Sequence, residues 1–122
     1  MTSSETTKIF VGNAGFQLIE AMDRGAIGAM PGCSMYDVYL DIYNHYVKGD
    51  REGAIELHNK ILPMLNHIRQ NVEQIISFEK RILKKRGIIE SDYCRKPSYD
   101  TDESFDKIFE EFYEEMAARY NW

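Results

Sequence analysis

The sequence predicts an α/β chain, mostly helical by residue count, with two short parallel strands at its start and a long helical stretch after them. Three observations carry this prediction. Ile9-Phe10-Val11 and the segment Ala26 to Met30 are continuous apolar runs closed by turn-forming residues, the pattern of strands buried on both faces. The segment between them has helical spacing, and consecutive strands joined through a helix are normally parallel with a right-handed crossover. Everything after Cys33 has either helical periodicity or turn chemistry.

The first strand is expected over Lys8 to Val11, ending at Gly12, with Gly15 closing the turn. Gln17 to Arg24 carries Leu18, Ile19 and Met22 at helical spacing and stops at Gly25, a residue suited to a helix C-terminus. The second strand, Ala26 to Met30, ends at Pro31-Gly32, neither of which continues a strand readily. Ser34 and Asp37 have capping-box spacing, so a helix should begin there, with Val38, Ile42, Tyr46 and Val47 as its apolar stripe. Gly49-Asp50 breaks it, and Asp50 should cap the next helix.

That next helix, Arg51 to about Gln70, places Ala54, His58, Ile61, Leu65 and Ile68 on one face. Pro63 should kink it or divide it in two, because proline lacks an amide donor and displaces a carbonyl. Val72, Ile75, Ile76, Ile82 and Leu83 mark a further helix ending in Lys84-Lys85-Arg86-Gly87, which suits the negative end of a helix dipole. Ile88 to Thr101 reads as an ordered loop. Asp102 to Trp122 forms a last helix with Phe105, Ile108, Phe109, Phe112, Met116 and Tyr120 inward and Glu110, Glu111, Glu114 and Glu115 outward.

With 122 residues the chain has the length of one domain. A formal charge of −5 argues against a sequence-independent grip on nucleic-acid phosphates, which needs clustered Lys and Arg. Residues 1–7 form a polar tail without an apolar leader core, and no apolar run approaches the roughly eighteen residues of a membrane span. A cytoplasmic setting is expected. Cys33 and Cys94 lack a CxxC partner, so reduced thiols are the default, with neither a disulfide framework nor a zinc site.

Two apolar parallel strands leave two hydrophobic faces and two open edges, and parallel sheets persist only when covered. Such a sheet wants more strands, supplied by another polypeptide, a partner copy or a further portion of the gene product. A mixed arrangement, with the helices collapsed over a two-stranded ribbon, also fits the pattern.

Lys8-Ile9-Phe10-Val11-Gly12, then Gly25-Ala26-Ile27-Gly28-Ala29-Met30-Pro31-Gly32, then Gly49-Asp50-Arg51-Glu52-Gly53-Ala54 resemble, in this order, the dihydrodipicolinate synthase and N-acetylneuraminate lyase family. Leu62-Pro63, Ile82-Leu83-Lys84-Lys85-Arg86-Gly87 and Arg95-Lys96-Pro97 continue the match over most of the chain. No single piece is diagnostic; their order and spacing together are. The resemblance implies the C-terminal part of a (β/α)8 TIM barrel, with residues 8–48 as its last two β/α units and residues 49–122 as a C-terminal helical extension. Members of the family are class I lyases or aldolases that form a Schiff base between a lysine on the sixth strand and a 2-oxo acid, commonly pyruvate, assisted by a tyrosine on the fifth. Both residues would precede Met1, so no catalytic residue is expected within the chain, which should be inactive alone.

By the same resemblance, Gly12 and Asn13 match the end of the seventh strand, and Met30 matches the position on the eighth beside the bound 2-oxo acid. These three are the candidate substrate-binding residues, at the carboxyl rim where barrel enzymes build their sites. Asn13-Ala14 departs from the acidic residues that some members carry, which bears on the acceptor substrate. No cofactor or metal is implied. The partners expected are a small 2-oxo acid in the complete enzyme and a second copy or missing barrel half, with no nucleic acid and no membrane.

Other residues have simpler readings. Gly12-x-x-Gly15 lacks the third glycine and acidic partner of a dinucleotide fingerprint. The small glycines Gly12, Gly15, Gly28 and Gly32 serve turns and packing as readily as ligands. Cys33, just ahead of a helix start, is expected to be a small buried residue rather than a reactive thiolate. His45, His58 and His67 have no ligand spacing, and His58 should be a packed or hydrogen-bonded core histidine. The glutamates of the last helix read as a solvated face, and Lys60 and Lys80 as polar-face lysines rather than Schiff-base nucleophiles. The alternative to a lyase portion is a non-catalytic helical module for interaction or self-association, built on the exposed apolar sheet.

Overall fold

The structure, a computed structural model, describes residues 7–122, so all but the last residue of the polar tail lies outside the described residues. The elements are β1 (Phe10–Val11), a 3-10 turn (Asn13–Gly15), α1 (Leu18–Asp23), β2 (Gly28–Ala29), α2 (Tyr36–Val47), α3 (Arg51–Ile68), α4 (Val72–Lys85) and α5 (Glu103–Tyr120). They fall into two compact units, Met1–Leu62 and Pro63–Trp122, with the division inside α3.

In the first unit β1 and β2 are parallel, with Phe10 beside Gly28 and Val11 beside Ala29. The Ile27 amide donates to the Ile9 carbonyl at 2.9 Å and the Met30 amide to Val11 at 2.8 Å, so pairing covers most of both apolar runs although each regular strand is only two residues long. Among the described residues the sheet has no third strand. The strands were expected to be buried on both faces; instead Phe10 is 55% exposed, Ile27 39% and Met30 66%.

Helix α1 buries Leu18, Ile19, Ala21 and Met22. It ends in a Schellman motif: Gly25, at φ +100°, donates to Met22 while Ala26 donates to Ala21. A side chain there would sit in the left-handed region that glycine tolerates best. α2 and α4 close in the same way, at Gly49 and Gly87.

The capping box expected at Ser34 and Asp37 does not form. α2 starts at Tyr36 with Met35 as its N-cap, whose carbonyl accepts from Val38, and no side chain caps the end. Ser34 is buried, and the Asp37 carboxylate accepts from the adjacent Val38 amide at 3.2 Å. The inward face is Met35, Val38, Tyr39 and Ile42, so Val47, expected in the stripe, lies outside. Tyr39, Tyr43 and Tyr46, spaced four and three apart and hence on one face, send their hydroxyls to the Ala14 carbonyl, the Ile27 carbonyl and the Asp23 carboxylate. This row ties the helix along its length to the strand–helix–strand segment.

Asp50 caps α3 as expected, accepting from the Gly53 amide at 3.0 Å. Ala54, His58, Ile61, Leu65 and Ile68 are all buried. The helix is not divided at Pro63 but runs unbroken from Arg51 to Ile68. Pro63 and Asn59, whose carbonyl loses a donor to the proline, are both exposed, so water can satisfy the orphaned oxygen.

In the second unit Asn71 caps α4, accepting from Gln74. The inward residues of α4 are Gln74, Phe78 and Ile82, whereas Val72 and Ile76, two of the apolar residues that mark this helix in the sequence, are exposed. Gln74 can be buried because its side-chain oxygen accepts from the Gln70 amide at 2.6 Å. Arg69, also buried, pairs with Glu79. Residues 88–101 contain no helix or strand, as expected.

Asp102 caps α5, accepting from Phe105 at 2.8 Å. Phe109, Tyr113 and Met116 are its buried residues, and Ile108, expected inward, is exposed. Phe78 lies edge-on to Phe109 at 4.8 Å, 5.5 Å from Phe105, with the Arg81 guanidinium 4.4 Å from its ring centre. The Thr101 hydroxyl and then Arg81 hold the Asp106 carboxyl below its usual range. At the C-terminus Trp122 packs 5.6 Å from Tyr113 and 4.6 Å from the Arg86 guanidinium.

Candidate functional site

The candidate residues Gly12, Asn13 and Met30 lie at the carboxyl end of β1 and β2. Register carries Gly12 alongside Met30, whose amide bonds to Val11, so the structure brings Gly12 and Met30 together and Asn13 follows at once. Met30 and Asn13 are exposed. A Cβ added to Gly12 would meet no atom within 4 Å, so packing among the described residues does not demand glycine there.

Beyond Gly12 the backbone turns left-handed at three successive residues: Asn13 (φ +59°), Ala14 (φ +53°) and Gly15 (φ +83°). Asparagine and glycine visit this region readily, but alanine does so at a cost of about 1 kcal/mol or more. Hydrogen bonds from behind hold the turn. His58 is 4% exposed and donates its Nε2–H to the Gly15 carbonyl at 2.8 Å. The Tyr39 hydroxyl reaches the Ala14 carbonyl at 3.5 Å, and the Phe16 amide closes the turn onto Asn13 at 3.1 Å. At the exposed front, Asn13 donates to the Gln17 side chain at 3.4 Å.

His58 is thus a core histidine, as expected from the sequence, and of the two forms expected, packed or hydrogen-bonded, it is hydrogen-bonded; its partner and the part played by Tyr39 were not foreseen. The Gly12-Asn13 pair was the available signal for an unusual turn; nothing in Ala14 announced it. The other two histidines lie elsewhere. His45 bridges Asp50 at 2.9 Å and Asp41 at 3.5 Å, and His67 donates to the Phe105 carbonyl at 3.0 Å while stacking on its ring at 3.8 Å. Among the described residues no group of His, Cys, Asp and Glu has metal-binding geometry.

Cys33 corrects its expectation: it is exposed rather than buried, and neither it nor Cys94 forms a disulfide. It follows the Pro31-Gly32 turn ahead of α2, and the buried positions of that segment are taken by Ser34 and Met35. Glu111, Glu114 and Glu115 are exposed, and Glu110 pairs with Lys85 at 2.9 Å. Lys60 is exposed, and Lys80 donates to the Tyr93 carbonyl.

Two further features of the first unit were missed. An apolar cleft of about 430 Å³ lies between the strands and α2, lined by Phe10, Leu18, Ile27, Tyr36, Leu40 and Tyr43 among others. It holds no charged side chain and does not include Gly12, Asn13 or Met30, so it suits apolar packing rather than a carboxylate substrate. The second feature joins α1, α2 and α3: Asp23 takes two hydrogen bonds from Arg51, at 2.6 and 3.0 Å, and one from the Tyr46 hydroxyl at 2.7 Å.

Arg51 and then Tyr46 hold the Asp23 carboxyl at about 2; the same bonds raise Tyr46 and Arg51. A carboxyl lowered on folding stabilises the fold above its unfolded value, and that contribution disappears as pH falls through the folded value. Stability is therefore expected to decline between about pH 4 and about pH 2, and Asp23→Asn to remove that part of the decline. Urea midpoints measured across this range check it; an unchanged acid limb in the variant would refute the assignment.

Among the described residues no helix is long and apolar enough to cross a membrane. No family model matches the chain, and no curated protein matches it significantly in sequence. A solved structure does: dihydrodipicolinate synthase from Rhodopseudomonas palustris is 30% identical, with a TM-score of 0.80 over 88% of this chain. The matched part spans 36% of that longer chain. The two parallel strands and the helices after them accordingly match part of a barrel of that kind, and the chain is similar to the C-terminal part of dihydrodipicolinate synthase.

Proposed function

We propose that the chain is the C-terminal portion of a Schiff-base-forming lyase or aldolase acting on pyruvate or a related 2-oxo acid. Residues 8–48 supply the last two β/α units and residues 49–122 the helical extension. Gly12, Asn13 and Met30 face the substrate from the carboxyl rim, while the lysine nucleophile and its tyrosine come from strands outside these residues. The chain by itself is inactive, needs no cofactor or metal, and works in the cytoplasm once the barrel is complete. The observation that carries this reading is the open two-stranded sheet: its exposed Phe10, Ile27 and Met30 are placed as strands of a larger barrel would have them. The likeness to dihydrodipicolinate synthase supports it.

The test joins the chain to the preceding β/α units of the Rhodopseudomonas palustris enzyme and treats both hybrid and isolated chain with pyruvate and borohydride. The isolated chain should show no adduct by mass, and the hybrid one adduct on the lysine of its donated portion. A stoichiometric adduct on the isolated chain would sink the claim of inactivity. A folded hybrid that traps nothing, while the parent enzyme does, would sink the barrel-completing role.

The same exposed side chains, with Tyr36 and Leu40 on α2, favour a second reading, a non-catalytic module that associates with a second copy or a partner. A compact monomer in sedimentation at micromolar concentration would exclude self-association.

A further inference from the structure

We propose that His58 and Tyr39 are positioning residues for the substrate-facing turn. From the buried side they hold Asn13, Ala14 and Gly15 left-handed, so that Gly12 and Asn13 present a fixed surface to the acceptor, the carbonyl compound that joins the 2-oxo acid. The proposal rests on the reading of Gly12 and Asn13 as substrate-facing residues.

Three observations converge on it. Three consecutive left-handed residues, two of them bearing a Cβ, persist only where surrounding structure over-determines them. The interactions that do so come from α2 and α3, rigid elements distant in sequence, and they end on the carbonyls of Ala14 and Gly15. The supporting side chains are buried, at 4% and 5% exposure, whereas Asn13 is exposed. The turn therefore has a fixed back and an open front, the arrangement by which a supporting shell orients groups that touch a ligand. A carbonyl can only accept, so the Nε2 of His58 must carry a proton. Phenylalanine at 58 keeps the ring volume without the donor, and glutamine places an amide donor at similar reach.

The experiment compares His58→Phe and His58→Gln in two settings. In the full chain, nuclear magnetic resonance couplings of Asn13, Ala14 and Gly15 read the backbone of the turn. His58→Phe is expected to lose the left-handed couplings while the helix signals persist, and His58→Gln to retain them. In the barrel hybrid, His58→Phe should raise the KM for an aldehyde acceptor roughly tenfold with the rate of pyruvate-adduct trapping unchanged, and His58→Gln should restore it to within about threefold. Unaltered turn couplings in a folded His58→Phe chain would overturn the proposal, because a histidine that merely fills the core leaves them as they are. If His58→Phe does not fold, Tyr39→Phe, which removes one hydroxyl, gives the same readout at Ala14. A wild-type hybrid that traps no pyruvate would fault the lyase reading, whereas the couplings in the isolated chain judge the positioning by themselves.

Discussion

Replacing Phe78 by alanine is expected to lower stability by about 3–5 kcal/mol, the range found for removing a buried aromatic ring. Phe78 is fully buried and stands at the centre of the aromatic packing of the second unit. Its ring meets Phe109 edge-on, tilts against Phe105 and Tyr99, and carries the Arg81 guanidinium on its face. Truncation leaves a cavity bounded by three further rings whose positions are fixed by α5 and the 88–101 loop, so the site has little freedom to collapse. The cation–π contact is lost as well, a term of about 0.5–2 kcal/mol. Urea unfolding checks the prediction; a loss below about 1 kcal/mol would mean that the ring is not a core residue.

Gly15→Ala is expected to cost about 3 kcal/mol, and it acts on the other unit. Two penalties add. At φ +83° an alanine sits where a Cβ crowds the following carbonyl, worth about 1–2 kcal/mol. The new Cβ would also lie 2.6 Å from Tyr39 Cε1 and 2.8 Å from its hydroxyl oxygen, an overlap that ordinarily costs about 1–3 kcal/mol to relieve. Tyr39 cannot simply swing aside, because it is buried and held in the row of tyrosines along α2. The change would therefore show as a lower urea midpoint together with altered signals at Ala14. A midpoint shift near zero would mean that the turn adapts, and that Tyr39 does not back it.

These two positions show what the sequence discloses and what it hides. Where a helix ends on glycine or begins on aspartate, the local chemistry is self-contained, and Gly25, Asp50 and Asp102 were legible for that reason. The two apolar runs were legible as parallel strands because each is short, closed by turn-forming residues and joined to the other through a helix. The inward face of α4 was not. Val72 and Ile76 mark the helix but lie outside, the face being set by the four-residue spacing of Gln74, Phe78 and Ile82, and a polar Gln74 is admitted because the Gln70 amide satisfies it. The same limit hid Tyr113, a buried phenol on α5.

Of the candidate residues, the neighbouring of Gly12 and Met30 follows from parallel pairing, whereas the shape of the turn after Gly12 does not. Family resemblance picked out Gly12, Asn13 and Met30, and the register of β1 and β2 brings their backbones together. The left-handed conformation of Ala14 and Gly15 could not be read from the chain, since it depends on partners far along it, Tyr39, 25 residues beyond Ala14, and His58, 43 beyond Gly15. Ser34 failed as a cap for a related reason: burial took the serine away from the helix end, and Met35 took the capping position.

The place of Trp122 gives the two units separate optical signatures. It is the single tryptophan of the chain and packs beside Tyr113, Tyr120 and Arg86, all residues of the second unit. Its emission therefore reports on the second unit, while the tyrosines of α2 absorb from the first without a tryptophan in their own unit. Melting followed by tryptophan fluorescence and by total helical signal need not coincide, and the gap between the curves measures how far the halves of α3, on either side of Pro63, lose order together.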